Sequence, residues 1–270
     1  YCLMRCELLS LSFAATAAFS GPSLRTTLPV IPVLRHAALD TPHSCRVSML
    51  AKNVPAEVRP GVGPGRDLPS PSGINMMPES TQAAIFLGIM VAVAIGAGVI
   101  AGPLFDAARG SSLWNLSRPT WPILGVIYLA AGIAHFTECE GFENITPPNG
   151  TWGLWWTPFS PRANVLWTGV VEIFGGAWML FGAGAGLAGV SLPAALGPVV
   201  SDAALTLFIL TFLVTPANIY ALTHGANFPL DLETPPKAHA VRLAFQPVLL
   251  ALLWEMAGPT LLDAKINLGL

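Results

Sequence analysis

Five apolar stretches fill the C-terminal two-thirds of this 270-residue chain, at Ala83–Phe105, Trp121–Phe136, Asn164–Leu187, Pro198–Leu222 and Ala240–Leu262. A helix rising about 1.5 Å per residue needs about 20 residues to cross a hydrocarbon layer, and most of these stretches reach that length. Lipid offers no water to backbone amides, so such runs have to be helices that close their own hydrogen bonds. The expected fold class is an all-α membrane protein, and its first partner is the lipid bilayer.

Composition removes several function classes. Charged residues make up only 10% of the chain and hydrophobic ones 53%, with a mean hydropathy of +0.61. Soluble domains carry about 25% charged residues, so the deficit fits a surface that faces lipid. The net charge of −2 leaves no basic field, and no nucleic acid is expected as a partner. Of the four cysteines, Cys2, Cys6 and Cys45 lie in the N-terminal leader region and only Cys139 lies beyond it. An internal disulfide, a zinc cluster or a CxxC redox pair is then not expected, and no metal site is predicted.

Residues 1–18 read as a signal peptide: Met4–Ala18 has one Arg, a short apolar core and a small-residue end. Residues 19–48 are Arg-, Ser- and Thr-bearing with Asp40 as the one acid, the composition of a plastid transit peptide. Their junction, Ala17-Ala18-Phe19-Ser20-Gly21-Pro22, resembles the bipartite presequence of plastids acquired from a red alga, in which an aromatic residue follows signal cleavage. That resemblance implies a plastid membrane, the thylakoid above all. Residues 49–82 are rich in Pro, Gly and Ser and read as a flexible tail.

The span at 83–105 is free of charge and carries Gly88, Ala92 and Gly96 four residues apart, a small-residue stripe suited to close helix contact. The second span is short and ends in His135-Phe136-Thr137-Glu138. In the loop that follows, Trp152, Trp155, Trp156 and Phe159 suit an interfacial aromatic belt. Pro216 is expected to kink the fourth span and free a carbonyl near the membrane edge. Five spans put the chain's two ends on opposite faces, and the distribution of Lys and Arg puts the N-terminal tail on the stromal side.

Ionisable and amide side chains inside such helices are costly, so they turn to the bundle interior and find partners. The candidates are His135, Glu172, Asn218, Arg242, Gln246 and Glu255. Arg242 and Gln246, four apart, share a helix face. Glu172 with Arg242 is the most economical ion pair between helices, leaving His135 to donate to Glu172 or to bind a ligand. The set serves as a structural clasp, as the polar contacts of a small apolar pocket, or as a proton path. Asp202, in the first turn of the fourth helix, suits a cap, because an acid is favoured at the positive helix end. His224 and His239 are expected at the Gly/Pro-rich loop His224–Ala238, solvated or interfacial.

Four segments in order carry a further resemblance: Tyr128-Leu129-Ala130-Ala131-Gly132 leading to His135-Phe136, then Thr168–Gly176 (TGVVEIFGG), Pro216-Ala217-Asn218-Ile219-Tyr220, and Arg242-Leu243-Ala244-Phe245-Gln246. Over Trp121–Met256 the chain resembles the DoxX-like family of small membrane proteins. The resemblance implies a DoxX-like four-helix transmembrane bundle over 121–262, here preceded by one extra N-terminal transmembrane helix, 83–105. Some members of that family are linked to thiosulfate:quinone oxidoreduction.

Two functions follow as expectations. In the first, the protein is redox-associated and holds a quinone-like ligand among His135, Glu172, Asn218, Arg242 and Gln246. In the second, it is a non-catalytic accessory or assembly subunit of a photosystem or other thylakoid complex, with chlorophyll or carotenoid held by His135, His224 or Glu172. A transporter would need inverted repeats or paired broken helices, and neither is evident.

Overall fold

A computed structural model of the chain describes residues 69–193, 196–226 and 236–268. The leader segments 1–18 and 19–48, and the tail as far as residue 68, lie outside the described residues. Every regular element among the described residues is helical.

The first span is helix α1, Glu79–Val99, which runs through a π-turn at Ile100–Leu104 into a short α2, Phe105–Ala108. Pro103 inside that turn cannot donate to the helix ladder, and the wider turn absorbs the missing bond. Ahead of α1, residues expected in the flexible tail are docked. Ser70 is buried and its hydroxyl donates to the Thr223 carbonyl at 2.9 Å, while the Gln82 amide donates to the carbonyls of Asn75 and Met77.

The second span is longer than its apolar core. Helix α3, Ser112–Ser117, begins at Ser111, whose hydroxyl accepts the Trp114 N–H at 3.1 Å, an N-cap bond. A 3₁₀ segment, Arg118–Ile123, joins it to α4, Leu124–Thr137. Trp114 is buried between Phe105 and Trp121. A short helix α5, Cys139–Ile145, follows.

The third span is α6, Pro161–Leu187. It starts on an N-cap bond from the Ala163 N–H to the Ser160 hydroxyl and has Pro at its first position, where the missing N–H costs nothing. The fourth span breaks in two at Val214, giving α7, Val199–Leu213, and α8, Thr215–His224. Pro216 cannot bond back to Phe212, and Ala217 N–H closes a tight turn on the Val214 carbonyl at 3.0 Å instead.

The fifth stretch differs from one continuous helix. Helix α9, Pro236–Met256, ends and α10, Gly258–Leu268, leaves it at 57° around Ala257. Thr260 fixes the turn, with its N–H and hydroxyl 3.0 and 2.9 Å from the Ser201 hydroxyl and its Oγ1 2.6 Å from Asp202 Oδ1. Four helical spans, 79–108, 112–137, 161–187 and 199–224, are long and apolar enough to cross a membrane, and the bent α9–α10 pair is a fifth if taken as one. The large apolar side chains left uncovered, such as Leu87, Val91, Ile95, Phe174 and Phe245, suit a lipid surround. The protein is a multi-pass membrane protein whose regular structure, among the described residues, is helical throughout.

Glycines set the closest contact. Helix α4 packs chiefly on α6. A Cβ added at Gly132 would stand 2.7 Å from the Ile173 nitrogen, and one at Gly176 would stand 2.6 Å from the Gly125 carbonyl. The backbones touch because those side chains are absent. The stripe expected in the first span plays a smaller part: Gly96 faces Pro247 of α9, and Gly88 faces open space. Beyond α6 the bundle continues through α7 to α9, and α9 carries α1 on its outer side. Met179, Leu207, Leu253 and Ala204 form the apolar centre.

Candidate functional site

His135 sits in the last turn of α4 and Glu172 midway along α6, and the Gly132–Gly169 approach brings the two side chains together. His135 Nδ1 lies 3.2 Å from Glu172 Oε2. The same nitrogen is 2.8 Å from the Ala131 carbonyl, an acceptor, so Nδ1 carries its proton there and Nε2 is the basic nitrogen. Glu172 Oε2 is enclosed and receives no hydrogen bond. Both residues are 8% exposed. The Phe142 ring of α5 stacks on the imidazole with centroids 3.9 Å apart.

A second polar group lies deeper in the bundle, where three helices meet. Asn218 of α8 donates to the Gln246 carbonyl oxygen at 3.3 Å. The Gln246 amide, on α9, donates to the Thr211 carbonyl at 3.1 Å and contacts the Thr215 hydroxyl at 3.2 Å. Thr211 lies in the last turn before the helix break, where backbone carbonyls lose helical donors and side chains replace them. Tyr128 of α4 hydrogen-bonds the Thr211 hydroxyl and lies within electrostatic range of Glu172. Taken together, the two polar groups draw on α4, α6, α7, α8 and α9, as a belt of polar side chains.

The five predicted residues take different places in that belt. His135 meets Glu172, and Asn218 meets Gln246. Arg242 is exposed at the protein surface, although its charge acts on Glu172 from α9. It and Gln246, four apart, differ in burial. Glu255 is outside the belt and pairs with Arg109 at 2.8 Å, near the far end of the bundle. Asp202 lies in the first turn of α7, as expected, but makes no cap bond there and instead accepts from the Thr260 hydroxyl of α10. His239 is buried, contrary to a solvated loop, and His224 stacks on Tyr220 at 4.7 Å. Residues 227–235, between them, lie outside the described residues.

Sequence reading passed over Tyr128, Thr211 and Thr215. Tyr128 stands seven residues before His135, two helical turns on the same face, and that spacing was the available signal. The Trp-rich loop also departs from expectation. Trp152 is only 2% exposed, stacks on Phe86 at 4.3 Å and donates from Nε1 to the Thr223 hydroxyl at 3.1 Å. Trp156 and Phe159 are exposed, as an interfacial belt requires. Trp152 is thus a buried clasp between the start of α1 and the end of α8.

Near the same end, the Cys139 thiol donates to Glu143 Oε1 at 3.4 Å. Partial burial and the Glu143 carboxylate push the thiol above its ordinary range. Among the described residues no three His, Cys, Asp or Glu side chains gather to hold a metal ion.

Chemically, the belt offers a basic imidazole nitrogen and a carboxylate oxygen that accepts no hydrogen bond, with the Arg242 guanidinium charge in range. The fold defines the class: a multi-pass helical membrane protein, in which His135 and Glu172 meet between α4 and α6. No family model, no curated protein and no solved structure matches the chain.

Proposed function

We propose that this chain is a DoxX-like protein of a plastid membrane, the thylakoid in particular, redox-associated and binding a quinone-like ligand at the His135–Glu172 pair. The observation that carries the reading is the enclosed Glu172 oxygen that no hydrogen bond satisfies, set 3.2 Å from His135. An ionisable group held at that cost inside an apolar bundle marks a functional site by default, and a ring-bearing apolar molecule with polar oxygens suits it. Asn218 and Gln246 hold the helices around the pair, and Arg242 offsets the Glu172 charge. The test is quinone binding to the purified protein with Glu172→Gln and His135→Ala. Loss of affinity in either supports the assignment, and unchanged affinity in both removes it.

One observation favours a second reading, an accessory or assembly subunit of a photosynthetic complex that holds chlorophyll or carotenoid. Only 11% of the apolar core of the 79–108 span is buried against the rest of the chain, which leaves a long face for another protein. Native electrophoresis of solubilised membranes separates the two. Comigration with a photosystem favours the subunit, and a free low-mass band with bound quinone favours the redox reading.

A further inference from the structure

A cleft of about 370 Å³ opens at the end of the bundle opposite Trp152, far from the His135–Glu172 pair. It forms where the ends of four spans meet. Arg118 and Pro122 come from the 3₁₀ segment before α4, Leu192 from the connection after α6, Val200 from the first turn of α7, and Met256 and Pro259 from the α9–α10 bend. Gly182 lets α6 approach this corner, since a Cβ there would stand 2.8 Å from Val200 Cγ2. The lining side chains are apolar apart from Arg118 and Ser201, whose hydroxyl Thr260 already occupies. Arg118 is exposed and makes no ion pair with a described acid. The nearby carboxylate, Asp202, is turned to Thr260.

We infer that this cleft binds one anionic phospholipid, with an acyl chain against the apolar walls and the headgroup phosphate on Arg118. Three observations carry it. The ends of membrane spans lie at headgroup level, so the cleft opens where lipid phosphates are found. Its volume falls in the lower part of the roughly 300–1,000 Å³ range of small-molecule sites, enough for part of one chain but not for a whole lipid. Arginine presents a planar fork that matches phosphate oxygens, and basic pockets between membrane helices take anionic headgroups. The bend at Ala257, which Thr260 holds, places Met256 and Pro259 in the cleft wall.

The test is native mass spectrometry of the detergent-solubilised full chain, titrated separately with phosphatidylglycerol, phosphatidylcholine and inorganic phosphate. One phosphatidylglycerol per chain is expected, bound more tightly than phosphatidylcholine. Arg118→Gln, a change at an exposed side chain, should weaken it roughly tenfold, the loss of one charge-assisted contact. Leu192→Trp, which fills the cleft, should abolish the bound lipid, with the melting temperature of lipid-free protein as the check on folding. Equal binding of the two lipids, or wild-type binding by Arg118→Gln, would mean ordinary surrounding lipid and overturn the inference. Displacement of the lipid by inorganic phosphate would identify a soluble-anion site and overturn it equally.

Discussion

Gly169 lies directly beneath His135: a Cβ built on the glycine would stand 2.6 Å from the His135 Cβ. The acid–base pair is therefore seated by an absent side chain on the neighbouring helix. Gly169→Ala should force α4 and α6 apart and cost about 1–3 kcal/mol, the usual range for overpacking. Thermal unfolding in detergent measures it, with Gly88→Ala as the control, because Gly88 faces open space. Equal melting temperatures for the two variants would refute the close packing.

Gln246 joins α9 to α7 and α8 through three side-chain contacts. Gln246→Leu leaves the Asn218 amide without its acceptor and removes a donor from the Thr211 carbonyl. Orphaned buried groups cost about 1–3 kcal/mol each. The double variant Asn218→Leu/Gln246→Leu should recover part of that loss, since removing both partners is gentler than stranding one. Additive losses in a double-mutant cycle would show that the two amides do not interact.

Trp152 adopts a left-handed backbone, φ 56°, which is rare for a residue with a bulky side chain. Its stacking on Phe86 and its bond to Thr223 hold it there. Trp152→Ala should cost about 3–5 kcal/mol, as other buried tryptophan truncations do, and expose the 146–160 loop to protease. Trp152→Phe, which keeps a ring but loses the N–H, should cost about 1 kcal/mol. Unchanged cleavage of Trp152→Ala would show that the clasp does not hold the loop.

Cys139 should alkylate slowly near neutral pH. Its thiol is pushed up by burial and by Glu143, so the reactive thiolate appears only at higher pH than for an ordinary cysteine. Glu143→Gln removes the negative neighbour, and the midpoint of the alkylation rate against pH should then move down. A midpoint unaffected by the substitution would dissociate Glu143 from the thiol.

The helices were legible in the sequence because hydropathy reads length and charge along one chain. Hydropathy does not read which side of a helix meets another. Gly88 and Gly96 looked like the packing stripe, but the backbone approach is made by Gly125, Gly132, Gly169 and Gly176, a choice set by helix pairing. His135, Glu172, Asn218 and Gln246 stood out as polar groups in apolar runs. Thr211 and Thr215 did not, because threonine in a helix often bonds to its own backbone four residues back, as Thr215 does here to Thr211. Trp152 was ambiguous for another reason: an indole has an apolar body and a polar tip and serves equally at a membrane surface and in a core. The bend at Ala257 has a Gly-Pro pair beside it, yet its direction depends on Ser201, some sixty residues away.

The long-range partners of α1 and of the segment leading into it come from later in the chain: Phe86 meets Trp152, Ser70 meets Thr223, and Gly96 meets Pro247. In any insertion that runs from N- to C-terminus, this helix enters the bilayer ahead of them. It has to stand alone in lipid as a separate segment, which its lack of charge beyond Glu79 permits. Docking it is thus the closing event of assembly, completed when the last hydrophobic segment arrives.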